Sequence, residues 1–270
     1  MDNLVLLRTH QPPTTSEQYD EYQSRPFSEL YRADNKYNMT ISIGAGISIG
    51  PGITLEKGAL GPTTIGEFYG GGYYAGQIST TANGVATHYL IVAPKAWESL
   101  QVWSTLSVQT GINSDIDGPG NTAALVALGT AYPAAYYCGV TCNASGGING
   151  YTDWYLPATD ESEVIYYFLK PDATQNAWGI GYGVNTHAVS PEPISQSYLQ
   201  FSPTQTTVTL FQTGNAQAFD LQSYWASTEA TDFTFEATTA HFQYMVDGAQ
   251  YFGTKQAPWP ITRPIRRIPV

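Results

Sequence analysis

Apolar positions in this chain come in short runs broken by glycine and proline, and only two longer stretches carry a helical spacing. The first begins at Asn121, read as its cap, and runs through TAALVAL toward Tyr137, with Pro133 limiting its last turns. The second starts at Thr159 or Asp160 and stops at Lys170-Pro171. It places Glu161 and Glu163 in its first turn, where the helix dipole favours acids, and sets Val164, Ile165, Phe168 and Leu169 on one face. HYLIVAPK, 88–95, lies between Gly84 and Pro94 and reads as a strand. From Tyr224 onward aromatic, Thr and polar residues alternate in strand fashion. The pattern predicts an α+β fold.

The first 38 residues differ in texture, holding Arg8, Arg25, Arg32 and Lys36 among acids, with Pro12, Pro13 and Pro26 breaking any long helix; a short helix is expected over 15–23. This reads as an N-terminal arm that docks onto a larger assembly. Residues 39–59 carry a six-residue repeat, ISIGAG at 41–46, ISIGPG at 47–52 and ITL at 53–55. So short a strand pattern cannot bury itself, so its partners come from the adjacent domain or from identical copies of the chain, most simply as a three-fold β neck. Residues 60–270 have one uniform texture and are expected to form one domain.

Composition narrows the function. Acids outnumber bases 22 to 11, giving a net charge of −11, the opposite of the field a nucleic-acid binder needs. No stretch approaches the length of a membrane span, and the apolar run Leu4 to Leu7 has no basic region before it, so neither membrane insertion nor a secretion address is expected. Few charges and 20 tyrosines suit a surface that works outside a cell although the chain is made inside one, which fits a virion component assembled in a host cytoplasm.

No pattern of catalytic chemistry stands out. His10, His88, His187 and His241 form no metal motif, and P-loop and GxGxxG stretches are absent from the sequence, so the chain reads as a non-enzyme without metal or cofactor. A carboxylate pair for glycoside hydrolysis would assemble in space and is left open. Asp115 and Asp117 in NSDIDG at 113–118 resemble part of a calcium loop but lack its closing Glu, so an Asx-rich turn is expected. Cys138 and Cys142 read as a local disulfide or two buried thiols.

Four ordered segments carry a family resemblance: GGGYYAG at 70–76 leading to HYLIVAPK; DWYLP at 153–157 before a helix; YWASTE at 224–229; and RPIRR at 263–267. Over about 60–270 the chain resembles the Lcl/DUF1566-type C-type-lectin-like domains of phage tail fibres and bacterial surface proteins. The stretch 185–219, with PTQT at 203–206 and GNAQAF at 214–219, is similar to the phage branch. The resemblance implies two helices flanking twisted antiparallel sheets, termini close together, and long irregular loops on one side. Trp154, Leu156, Pro157, Tyr224 and Trp225 are then scaffold, and Glu229 is expected to accept from backbone or from Arg263 or Arg266. Sugar-binding C-type lectins hold calcium through triplets such as Glu-Pro-Asn, whereas the nearest match here, Glu192-Pro193-Ile194, lacks the third oxygen ligand. Formylglycine-generating enzymes share the wider fold but depend on cysteines late in the domain, where this chain has none.

The expected role is a phage virion structural protein, a tail fibre or other appendage. Its arm would bind other virion proteins, its neck would make a homotrimer, and its lectin-like head would bind a host-surface glycan or protein. Candidate contact residues are Trp178, Tyr182, Asn185 and His187 in the loop 178–195, with Tyr244 and Tyr251 on a late hairpin. The runner-up is a head decoration (cement) or connector protein, which would bury apolar loops against its neighbours.

Overall fold

The hairpin near the start of the described chain is closed by the last strand. Strands β1 (Phe68–Tyr69), β2 (Gly72–Ile78) and β3 (His88–Val92) form an antiparallel meander, and β9 (Ile265–Pro269) pairs with β3 from His88↔Pro269 to Val92↔Ile265. The computed structural model describes residues 61–179, 181–231 and 236–270, within the compact unit Gly58–Val270. The expected arm, the helix at 15–23 and the repeat neck lie outside the described residues.

The run Leu90, Ile91, Val92 is wholly buried, which suits a strand covered on both faces. Leu90 and Val92 face a core shared with Ala75, Ile78 and helix α3 (Thr159–Leu169), while Ile91 packs with Tyr74, Cys142, Ile148 and Trp154 on the other side. Gly76 explains part of the glycine-rich motif. It sits at a register shift in β2 with φ +124°, and a Cβ there would lie 2.6 Å from the Phe168 ring, so α3 approaches bare backbone.

A second sheet has the order β4-β8-β5-β6-β7. Its members are β4 (Ser99–Leu100), β5 (Ser223–Glu229), β6 (Thr239–Tyr244), β7 (Gln250–Thr254) and β8 (Ile261–Thr262); β5 and β8 run parallel and the other pairs antiparallel. Tyr224 joins the α3 core, and Trp225 joins a third cluster with Trp103, Leu125, Leu156 and Phe242. Trp103, Trp154 and Trp225 are each 1% exposed, and each indole N–H donates at 2.9 Å to a carbonyl, of Ala226, Tyr151 and Gln101 respectively. Leu156 and Pro157 are buried as well, and the Pro157 carbonyl accepts from Ser227 N–H at 2.7 Å. The fold class is mixed α+β with few helices and curled antiparallel sheets.

Helix α3 matches its sequence reading, but the first helix does not. Helix α1 spans Gly118–Ala127 and is capped by Asp117, whose carboxylate accepts from Gly120 N–H; Asn121 is buried instead, its amide donating to Ser114 O and Ser227 Oγ. The chain then turns at Gly129, φ +101°, and Pro133 opens a separate short helix α2 (Pro133–Tyr136) followed by a π turn, Tyr137–Thr141. A proline expected to end one helix therefore starts the next. Cys138 on that turn and Cys142 just after it are buried free thiols.

Glu229 accepts from backbone as one reading expected, but the arginine pairing is corrected. Glu229 is fully buried and bonds Lys255, while its carboxylate also accepts from Thr110 N–H, Thr110 Oγ1 and Gly111 N–H, the last at 2.7 Å. Lys255 also donates to Val108 O at 2.8 Å and Ala237 O at 3.0 Å. Arg263 pairs with Glu98 at 3.1 Å, and Arg266 grips Asp153 through two bonds of 2.7 and 2.8 Å. The reason is positional: Lys255 follows β7 directly and reaches β5 across the sheet, whereas the arginines face the first sheet and its flanking loops. Removing one partner of a completed buried pair costs ~3–5 kcal/mol, more than replacing both by apolar groups. Glu229→Ala or Lys255→Ala is therefore expected to lower unfolding free energy in urea by that amount, and the double change Glu229→Leu with Lys255→Met by far less. A single-variant loss under ~1 kcal/mol, the range of an exposed pair, would contradict the role given to this pair.

Candidate functional site

Strand β7 is one edge of the second sheet among the described residues, and its hairpin with β6 presents a line of aromatic rings. Phe242 on β6 stands opposite Tyr251 on β7 and opposite Trp225 on β5, so all three share a face. Rings meet in sequence: Trp259 with Phe242 at 5.5 Å, Phe242 with Tyr251 at 6.2 Å, and Tyr251 with Tyr182 at 5.5 Å, all edge to face. Gly253 leaves room for this line, since a Cβ there would lie 3.0 Å from Phe242 and 3.9 Å from Trp259. Phe242 is the buried anchor, while Tyr251 and Trp259 keep 43% and 49% of their surface exposed.

The loop between α3 and β5 has almost no regular structure, yet it is tied at two buried hubs. Asn176 accepts from Tyr166 Oη and Lys170 Nζ, each at 2.7 Å, and donates to Leu199 O and Pro203 O, each at 2.9 Å. One residue on, Ala177 N–H bonds Asp247 O in the β6–β7 turn, which brings the exposed Trp178 beside the hairpin. The second hub is Asn185. It is 1% exposed, donates to Asp160 O and Glu163 Oε2 at 2.9 Å, and accepts from His187 N–H.

Of the contact residues named from sequence, the structure brings Trp178, Tyr182 and Tyr251 to one region. Tyr244 is half-buried on β6 ahead of the turn. Asn185 and His187 are not free for recognition: Asn185 serves α3, and His187 Nδ1 lies 2.6 Å from Ser79 O, holding the loop to the end of β2. Both are polar residues in an irregular stretch, and irregular backbone needs such residues for its own bonds. Trp259, Asn176 and Lys170 were missed. A lone exposed Trp after a proline and a hub asparagine leave no periodic signal.

A cluster of acids lies behind the loop. Glu163 is fully buried and accepts from Tyr198 Oη as well as Asn185. Beside it Glu192 is 3% exposed, with both carboxyl oxygens buried and no donor reaching them. The charged form of Glu192 has nothing to stabilise it, so the acid keeps its proton and donates to Glu163; burial, then the Glu163 charge, holds its pKa well above the usual carboxylate range. Asp160, one turn earlier on α3, is pushed up to about 8 by burial and then by Asp115, Glu163 and Glu161. Among the described residues no group of three or more His, Cys, Asp and Glu is arranged to hold a metal ion. Asp115 and Asp117 flank the start of α1, where Asp115 O accepts from Asp160 N–H.

The chain matches no protein-family model, no curated protein and no solved structure.

The acid cluster sets a pH dependence. Glu192 and Asp160 have folded-state pKa values above their unfolded ones, so the folded state binds more protons. Their contribution is fully present below the unfolded carboxylate range, near pH ~4, and is lost as pH rises through the folded values, about 8 for Asp160. Melting temperature is expected to fall across that window, and Glu192→Gln, whose amide replaces the donated proton, to flatten the fall and raise stability at its alkaline end. A Glu192→Gln profile parallel to that of the parent protein would refute the shared proton.

Proposed function

We propose that this chain is a phage virion structural protein, a tail fibre or other appendage, whose residues 60–270 form a C-type-lectin-like head for binding a host-surface receptor. Residues 1–38 would dock on other virion proteins and residues 39–59 would hold three copies together. Three features of the head support the lectin-like reading: the early hairpin paired with the last strand, helices on the sheets, and the long irregular segment between α3 and β5. The resemblance in YWASTE and RPIRR adds to them.

The observation that carries the recognition role is the exposed aromatic line on the β6–β7 edge, with Trp178 and Tyr182 brought to it by a loop tied at buried hubs. Rigid aromatic rings lose little side-chain entropy on contact and offer apolar area with polar tips. One observation favours the decoration or connector reading. Trp178, Leu199 and Phe201 are 57–59% exposed on segments joined by the Asn176 bonds to Leu199 and Gln200, an apolar patch that a neighbouring capsid subunit would cover.

Full-length protein, with its oligomeric mass set by light scattering, is expected to bind whole host cells saturably as a trimer. Tyr251→Ala and Trp178→Ala are each expected to weaken that binding at least ~10-fold, as loss of an aromatic anchor does. A well-folded trimer that binds no cells but attaches to virions lacking it would transfer the assignment to the decoration role.

A further inference from the structure

Beyond the end of the aromatic line lies a groove of about 530 Å³ formed by β4, β8 and the segment entering β5, lined by Glu98, Leu100, Asp220, Gln222, Trp259 and Ile261 among others. None of its residues was singled out by the sequence, and none belongs to the ion pair at Glu229. Its chemistry is two-sided. Trp259 and Leu100 leave 49% and 64% of their surface open, and the Trp259 ring is held edge to face against Phe242. An indole fixed in this way offers a rigid apolar surface at little entropic cost.

The polar side consists of acceptors that other residues hold still. Glu98 Oε1 accepts from Tyr224 Oη at 3.0 Å and Arg263 Nη1 at 3.1 Å, while Oε2 lies 3.9 Å from Lys95 Nζ, beyond hydrogen-bond reach. Asp220 takes Lys95 on Oδ1 at 2.5 Å, and its backbone N–H donates to the same Tyr224 hydroxyl at 2.8 Å. Two carboxylates are thus balanced by Lys95 and Arg263. The groove presents acceptor oxygens without a net field for either sign of charge.

That balance decides between ligand classes. An anionic ligand would need a free cation, and both cations here are already engaged. A cationic ligand would find no net negative charge to hold it, since Lys95 and Arg263 already face the two carboxylates. A wholly apolar one would desolvate two carboxylates without returning a hydrogen bond. A neutral polyol ring meets each requirement, because its hydroxyls donate to carboxylate oxygens and its C–H face packs on an indole.

We propose that this groove is a binding site for a neutral saccharide, stacked on Trp259 and donating to Glu98 and Asp220. The assignment rests on the reading of the domain as a receptor-binding head and names its site and ligand class. A single open groove of this kind binds weakly, and several copies on one particle would supply the avidity.

The test uses full-length protein and a panel of methyl glycosides of glucose, galactose, mannose, rhamnose and N-acetylglucosamine, read by saturation-transfer NMR and tryptophan fluorescence, with choline and inorganic phosphate as charged probes. At least one glycoside is expected to bind saturably. Its affinity should fall at least tenfold in Trp259→Ala and in Asp220→Asn, with Gln222→Ala as a surface variant that spares the fold, and stay unchanged in Leu128→Ala just past α1. Binding of choline or phosphate with no glycoside bound overturns the proposal, as does glycoside binding indifferent to Trp259 and Asp220, or no binding at all by folded protein. Cell binding that survives Trp259→Ala and Asp220→Asn would sink the groove while leaving the receptor-binding head standing. Glycoside binding without cell binding would do the reverse.

Discussion

A shortage of cations governs how this domain is held together. The chain has half as many bases as acids, and each lysine and arginine among the described residues is engaged inside the structure. Lys95 holds Asp220, Lys170 holds the Asn176 hub, and Lys255 holds Glu229. Arg263, Arg266 and Arg267 hold Glu98, Asp153 and Glu161. Four of these cations fall within 255–267, so the end of the chain fastens four separate places: the 108–111 segment with β5, the start of β4, the DWYLP turn and the first turn of α3. Taking such groups out of water costs several kcal/mol per ion unless the buried lone pairs and protons find partners, and the two carboxylates whose side chains are wholly buried, Glu229 and Glu161, are supplied with several donors each. Glu161, for instance, accepts from Tyr155 Oη and Ala158 N–H as well as from Arg267.

Among the described residues two buried acids, Glu163 and Glu192, have no cation beside them, and burial raises the pKa of both. Glu163 and Glu192 meet where no lysine or arginine reaches, and one proton between them does the work a cation does elsewhere. Tyr198 and Asn185 join the same cluster, so the loop is fastened to α3 by neutral donors and a shared proton. The loop that carries Trp178 and Tyr182 is in this way coupled to the protonation of a buried acid, whereas the sheets beneath it are coupled to full ion pairs.

Strong local patterns were legible in the sequence. HYLIV is a strand because three successive apolar residues between turn signals suit burial on both faces, and α3 announces itself by apolar spacing and a Pro just past its end. Trp154, Tyr224 and Trp225 lie in the interior, as large rings with satisfied polar tips. What could not be read were choices between equal local candidates. Asp117 and Asn121 can both cap a helix, and the decision came from Ser227, more than a hundred residues away, which draws Asn121 inward. Glu229 had two arginines and a lysine within the last sixteen residues before Arg267 to choose from, and the sheet order selected the lysine. The candidate site was half legible for the same reason: exposure of Trp178 and Tyr251 follows from local texture, but Asn185 looks the same in sequence whether it faces solvent or α3.

The loop's fixed geometry bears on how such a surface recognises anything. A segment of some fifty residues with scarcely any helix or strand would ordinarily lose much conformational freedom on binding, and that loss is subtracted from affinity. Here the ordering has been done in advance by Asn176, Lys170 and Asn185, each side chain bonding backbone carbonyls or buried partners that helix or strand ladders would otherwise have satisfied. The rings of Tyr182, Tyr251 and Trp259 therefore stand in fixed relation to one another through Phe242 before any partner arrives. Polar residues buried in the loop and aromatic residues exposed on it are two sides of one arrangement, in which hydrogen bonds that contribute nothing to contact make the contact surface rigid.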